Sequence, residues 1–147
     1  MTVDNLSRRG VVKPIEWQFC LECESINHLF FDCVVAQYVW NLFHNFPGHC
    51  IRNFTDLAEK WPCGKSWNLT NSISAGILWG IWLTRNDFVF KNQVWRDVKT
   101  VLRRIWLCKV DWKPMFQGQL AQVMAQWCAF LEMALKTPLA IDCSPRS

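Results

Sequence analysis

Cysteine and histidine cluster in residues 20–33, CLECESINHLFFDC, where Cys20, Cys23, His28 and Cys33 follow the spacing Cys-x2-Cys-x4-His-x4-Cys. Thiolate and imidazole are the donors that structural zinc takes, four of them at the corners of a tetrahedron. Two residues between Cys20 and Cys23 let one tight turn bring both sulfurs to the same point. Three thiolates and one neutral imidazole around Zn²⁺ leave a single net negative charge, which a polar surface site can carry. All four positions would be filled, so the pattern points to a structural metal and not to a catalytic one with an open water position. The competing reading is four ordinary residues lying close together in a chain with eight cysteines. Geometry separates the two. In a continuous α-helix His28 and Cys33 would lie about 140° apart around the axis. Both reach one metal only where His28 sits in a turn and the helix begins near Cys33.

The elements that must position this segment read as helices. Residues 1–19 form a polar lead-in with Arg8-Arg9-Gly10 and Pro14. The zinc-binding module and first helix take residues 20–46, with Ala36, Val39, Trp40 and Phe43 at the 3.6-residue spacing and Pro47-Gly48 as the stop. Residues 47–68 read as a long loop with one helical turn near 55–60. A helical body follows over residues 69–137. In its first helix Ile73, Ile77 and Ile81 step by four, while Leu78, Trp79, Trp82 and Leu83 widen the apolar surface nearly all round. That helix is expected to be largely buried and to end near Asn92. Val94, Val98, Val101, Leu102 and Ile105 form the stripe of the next. After Pro114, the last helix carries Leu120, Val123, Met124, Trp127, Leu131 and Leu135, with Pro138 as its stop and 138–147 as a frayed tail. No segment alternates apolar and polar residues over strand length. The predicted fold class is mainly α, a small zinc-stabilised turn packed on a helical body, with few or no strands.

Composition bounds the setting. Apolar residues make up 51% and charged residues 19% of the chain, ample for a core and against disorder. The N-terminus MTVDNLSRRG lacks the apolar stretch of a secretory signal. The longest apolar run, Ile77 to Leu83, is too short for a bilayer. The expectation is an intracellular chain, nuclear or cytoplasmic, with no membrane contact. There, thiols stay reduced and serve as ligands or core residues more readily than as disulfides. The sequons at Asn5, Asn53 and Asn68 then carry no meaning.

The stretch ESINHLFFDCVVAQYVW resembles the zinc-binding domain that follows the reverse transcriptase in plant LINE-type (non-LTR) retrotransposon polyproteins. Cys20, Cys23, Glu24, Ser25, His28, Leu29, Phe30, Cys33, Ala36 and Trp40 carry that likeness. The lead-in adds Thr2, Asp4, Leu6, Arg9 and Gly10, and ILWGIWLTRNDFVF adds Trp79, Trp82, Arg85, Asn86 and Phe90. Three motifs in order over residues 2–90 make the resemblance specific. Two departures stand out: the loop between Cys23 and His28 is shorter than the family's, and Val34 stands where a proline is frequent. The spacing also equals that of the retroviral zinc knuckle, without the knuckle's glycines. The resemblance implies structural zinc as the cofactor, a parent polyprotein, and a part in handling RNA or DNA.

Catalytic constellations are not found. There is no Tyr-x-Asp-Asp segment, no glycine-rich phosphate loop and no Gly-x-Ser-x-Gly elbow. After Asn92 the acidic residues Asp97, Asp111, Glu132 and Asp142 suggest no two-metal site. Cys50 beside His49 in a Pro-Gly loop is a poor basis for nucleophilic catalysis. The expectation is therefore a non-enzyme with no small-molecule substrate.

Binding features remain. The net charge of +4 permits nucleic acid without requiring it. Arg96, Lys99, Arg103 and Arg104 lie opposite an apolar stripe and could track phosphates, with Arg8, Arg9 and Lys13 ahead of the zinc segment; the plain alternative is a solvated helix face. Trp40, Trp82 and Trp127 sit on apolar stripes, whereas Trp17, Trp61, Trp67 and Trp112 sit in loop contexts and suit base stacking better. His44, His49, Cys50 and Cys63 are fallback ligands should the shortened loop fail to close on the metal; the plain and favoured alternative is structural or incidental residues. Arg85 and Asn86 are expected to cap a helix or bridge to a neighbour. The other function classes are a protein-interaction module built on the Trp79–Trp82 helix and a retrotransposon relic without function.

Overall fold

The computed structural model describes residues 8–10, 24–44, 51–61, 69–94 and 96–138. The chain divides into two compact units that meet in sequence at Ala58 and Glu59. The architecture is mainly helical, and the described residues contain no strand.

In the first unit a single π turn, His28–Asp32, leads into helix α1, Val34–His44. Val35, Ala36, Val39, Trp40 and Phe43 make the buried face of α1, the stripe read from the sequence with Val35 added. Trp40 fastens the helix to the preceding turn, since its Nε1–H donates to the Phe30 carbonyl oxygen at 2.7 Å. The Phe31 ring stacks on Trp40, centroids 5.5 Å apart and planes 13° from parallel. Phe54 meets Phe31 edge-on at 4.7 Å. Phe54 opens helix α2, Phe54–Lys60, a full two turns where one was expected. Asn53 and Asp56 start it reciprocally: Asp56 N–H donates to Asn53 Oδ1 at 2.8 Å, and Arg52 N–H donates to Asp56 Oδ2 at 3.0 Å. This satisfies one orphan amide of the first helical turn, that of Asp56, and one just ahead of the helix, that of Arg52.

The second unit holds α3 (Leu69–Lys91), α4 (Lys99–Trp112) and α5 (Gln119–Lys136), with α4 packed against both others. Helix α3 approaches α4 through its small residues. A Cβ added at Gly80 would stand 2.6 Å from Ile105 Cγ1, and one at Gly76 2.5 Å from Lys109 Cε. Ile73, Ile77 and Ile81 are buried as expected. The helix is not buried all round, however: Trp79 is 48% exposed, and Phe90 is exposed too. Burial follows the glycine face and not the count of apolar residues. Asn92, in the left-handed region at φ +50°, closes α3, a conformation asparagine tolerates better than most residues.

Helix α4 begins at Lys99, five residues later than the valine pattern implied, and Val94 is 82% exposed outside it. The local reason is Asp97, whose Oδ1 accepts the Thr100 N–H at 3.3 Å and caps the helix there. Val98, Val101, Leu102 and Ile105 are buried as the stripe predicts. A 3₁₀ turn with Pro114 leads to Gly118, whose φ of +61° and ψ of −134° only glycine adopts readily, and α5 starts at the next residue. Met124, Trp127 and Leu131 are buried, whereas Leu120 is exposed at the start of the helix. Trp106 Nε1–H joins α4 to Glu132 of α5 at 3.2 Å. None of the described helices is long and apolar enough to cross a membrane.

Candidate functional site

The local sequence around the candidate ligands folds into an uncommon shape. Ser25 starts it: its Oγ accepts the His28 N–H at 3.0 Å and its carbonyl oxygen accepts the Leu29 N–H at 2.9 Å. Cys33 N–H then donates to the His28 carbonyl oxygen at 2.8 Å. This i→i+5 closure defines a single π turn, a feature that concentrates at functional sites. Cys33 itself is extended, φ −62° and ψ +141°. Its carbonyl oxygen accepts the Gln37 N–H at 2.8 Å, which makes Cys33 the residue that starts α1. His28 lies in a turn, the α-helix begins directly after Cys33, and a wider turn replaces the 100° step that would have separated the two residues.

His28 is 7% and Cys33 1% exposed. Burial of an imidazole and a thiol within six residues suits a closed, water-excluding structural site. Cys33 also stands at the end of α1 whose dipole favours an anion such as a metal-bound thiolate. Cys20 and Cys23 lie outside the described residues. Among the described residues no group of three or more histidine, cysteine, aspartate or glutamate side chains gathers as a metal site. Of the four expected ligands, the two described, His28 and Cys33, are buried and joined by one backbone hydrogen bond. Of the fallback ligands, His44 is half-buried with Nε2 3.5 Å from the Ile51 carbonyl oxygen. His49, Cys50 and Cys63 lie outside the described residues.

The basic residues are treated unequally. Arg8 and Arg9 are exposed in the first unit. In the second, Arg96 and Arg103 are exposed, and Lys99 is half-buried one turn from Arg103 on the same face of α4. Arg104 differs, because its Nη2 is paired with Asp87 Oδ2 and joins α4 to α3. Lys91 reaches the same carboxylate at 2.8 Å. Together Lys91 and Arg104 hold the Asp87 carboxyl below its ordinary range, against a smaller opposing effect of burial. Arg85 is fully buried, with Nη1 donating to Asn86 Oδ1 at 3.1 Å and its guanidinium over the Phe90 ring. It lies a turn and a half before the helix end, while Asp87, two residues on, bridges to α4.

The tryptophans divide largely as their sequence contexts suggest, with Trp112 the exception. Trp40 and Trp127 are buried, Trp61 is exposed, and Trp17 and Trp67 lie outside the described residues. Trp112 is the last residue of α4 and not a loop residue. Trp79 and Trp82 stack on each other with centroids 4.9 Å apart.

Lys109 was missed by the sequence reading, although it follows Ile105 by four on the core stripe of α4. It is fully buried. Its Nζ donates to the Ser72 carbonyl oxygen and, at 3.2 Å, to Ser72 Oγ, and it lies 4.5 Å from the Trp112 ring centre. Burial lowers its pKa from 10.5 to about 8.

The fold and these residues describe a mainly helical chain with half of a candidate thiolate–imidazole site at the start of α1. Comparison with protein-family models, curated proteins and solved structures returned no match.

Proposed function

We propose that residues 20–44 form a structural zinc module in which Cys20, Cys23, His28 and Cys33 hold one ion, and that the chain is a non-catalytic, nucleic-acid-positioning domain of retroelement origin. The observation that carries the metal reading is the Cys33 N–H to His28 carbonyl bond. It brings the His28 and Cys33 backbones one π turn apart, and both residues are buried, which supports reading them as ligands. Zinc would supply no reaction step here; it would fix the turn and the start of α1. The retroelement and nucleic-acid parts rest on the three ordered motifs of residues 2–90, on the exposed Arg8 and Arg9 of the first unit, and on Arg96, Lys99 and Arg103 of the second.

Cobalt(II) substitution tests the metal. Thiolate charge-transfer and tetrahedral ligand-field bands are expected in the full chain and should weaken in Cys23→Ser and Cys33→Ser; their absence would sink the site. Titration of RNA and DNA against salt tests the partner. Each removed phosphate contact should flatten the slope of log K against log salt by about 0.9 on duplex DNA. A second reading, a protein-interaction face, is favoured by Trp79, which stays exposed on α3 while stacked on Trp82. Under that reading Trp79→Ala would abolish partner capture and leave nucleic-acid binding unchanged.

A further inference from the structure

One cleft of the first unit is not used by the metal or by the basic residues. It has a volume of about 260 Å³. Its floor is apolar and fixed: Phe31 and Trp40, stacked on each other, together with Ile51, are all buried. One wall is a single face of α1, where Gln37, Asn41 and His44 recur at helical spacing. Asp32, at the end of the π turn, and Arg52 complete the rim. The Arg52 backbone is held by Asp56 Oδ2 at 3.0 Å, and the His44 ring approaches the Ile51 carbonyl oxygen, so both walls are tied to rigid elements.

The rim is chemically unfinished. The side chains of Asp32, Gln37, Asn41 and Arg52 are exposed and make no hydrogen bond or ion pair among the described residues. The carboxylate accepts, the guanidinium donates, and each amide does both. The opposite charges of Asp32 and Arg52 cancel, which selects a neutral occupant over a phosphate or a metal ion. The volume lies below the roughly 300 Å³ at which sites for drug-sized molecules begin. There is room for one flat ring system and not for a nucleoside triphosphate or a folded peptide segment. A flat, neutral ring with donors and acceptors along its edge is a nucleobase, and Asn, Gln, Asp and Arg are the side chains that read base edges. Such a base must be free of a duplex, as in single-stranded loops whose bases are splayed outward.

We propose that the cleft between α1 and the Ile51–Arg52 segment holds one unpaired nucleobase, with Gln37 and Asn41 on its hydrogen-bonding edge and Asp32 and Arg52 flanking it. This deepens the nucleic-acid reading above and rests on it for the biological source of the base, while the cleft itself can be probed with nucleosides alone.

The test uses the zinc-loaded full chain and a Gln37→Leu, Asn41→Leu double variant, whose exposed positions leave the core of α1 untouched; circular dichroism and zinc content establish that both proteins are folded. The four free nucleosides are examined by saturation-transfer NMR, and single-stranded and duplex oligonucleotides of one sequence by fluorescence anisotropy. At least one nucleoside is expected to receive saturation from the wild type and to lose it in the variant. Single-strand affinity should fall about tenfold in the variant while duplex affinity holds. No transfer to any nucleoside, or transfer unchanged in the variant, overturns the proposal whatever the oligonucleotides do. Nucleoside transfer lost in the variant, with no oligonucleotide bound even at low salt, supports the cleft and removes the polynucleotide reading instead.

Discussion

The two units reach order by different means. The second closes a core from three helices, with Ile77, Leu102, Ile105, Met124, Trp127 and Leu131 all fully buried. The first has one three-turn helix, one short helix and a π turn, and its described core gathers Leu29, Phe31, Val35, Ala36, Val39, Trp40, Phe43 and Ile51. Units of that size rarely stabilise themselves by apolar burial alone and draw on disulfides, metals or partners. Under the proposal above, Cys20, Cys23, His28 and Cys33 all fall in the first unit. The proposal therefore makes zinc a folding element of that unit, while the second closes a core from its own three helices.

The largest effect that would sharpen this contrast is chelation. Removing zinc with a strong chelator should expose the amides of α1 to hydrogen exchange and leave those of α3, α4 and α5 protected. Equal loss in both units would break the comparison.

Next in size is the pH dependence of the second unit. Lys109 has a folded-state pKa near 8 against 10.5 unfolded, so its protonation opposes folding. The penalty is fully present below pH 8 and is relieved as pH rises toward 10.5. At about 1.4 kcal/mol per pH unit this amounts to roughly 3 kcal/mol. Burial raises the Cys108 and Cys128 thiols, which titrate in the opposite sense. Denaturant melts of wild type and Lys109→Met across pH 7–10.5 isolate the lysine by difference. The wild type should gain stability relative to the variant as pH rises; parallel curves would contradict the assignment.

A smaller loss is expected from Gly80→Ala. The new Cβ must displace Ile105, at a cost of about 1–3 kcal/mol read from a denaturant melt. Hydrogen exchange of the same variant should leave the α1 rates unchanged. Smallest is Asp87→Asn, which breaks the carboxylate shared by Lys91 and Arg104 and should cost about 1 kcal/mol or less. Because the Asp87 carboxyl is held low, its contribution is present above pH 4 and lost as pH falls through the folded-state value. Acid titration of wild type against the variant follows that loss.

The same two regions show what the sequence makes legible. The stripes of α1, α4 and α5 were readable because periodic apolar residues have one way to be buried. The start of α4 was misplaced because valine spacing outweighed Asp97, a single capping carboxylate. The burial of α3 was misjudged because Gly76 and Gly80 do not register in an apolar count, yet they decide which face can approach α4. Lys109 follows Ile105 by four on the core stripe of α4, a place that apolar periodicity does not assign to a charged residue. The π turn was inaccessible to a reading that assumes 100° per residue. The spacing of His28 and Cys33 nevertheless stated what any turn between them must accomplish.

The measurement that tests the central claim most directly is the zinc content per purified full chain by elemental analysis, beside Cys33→Ser and, as a control from the second unit, Cys128→Ser. One zinc per chain in the wild type and the control, with loss in Cys33→Ser together with the exchange protection of α1, is the predicted result. No zinc in a reduced, metal-replete preparation that keeps α1 protected would contradict it.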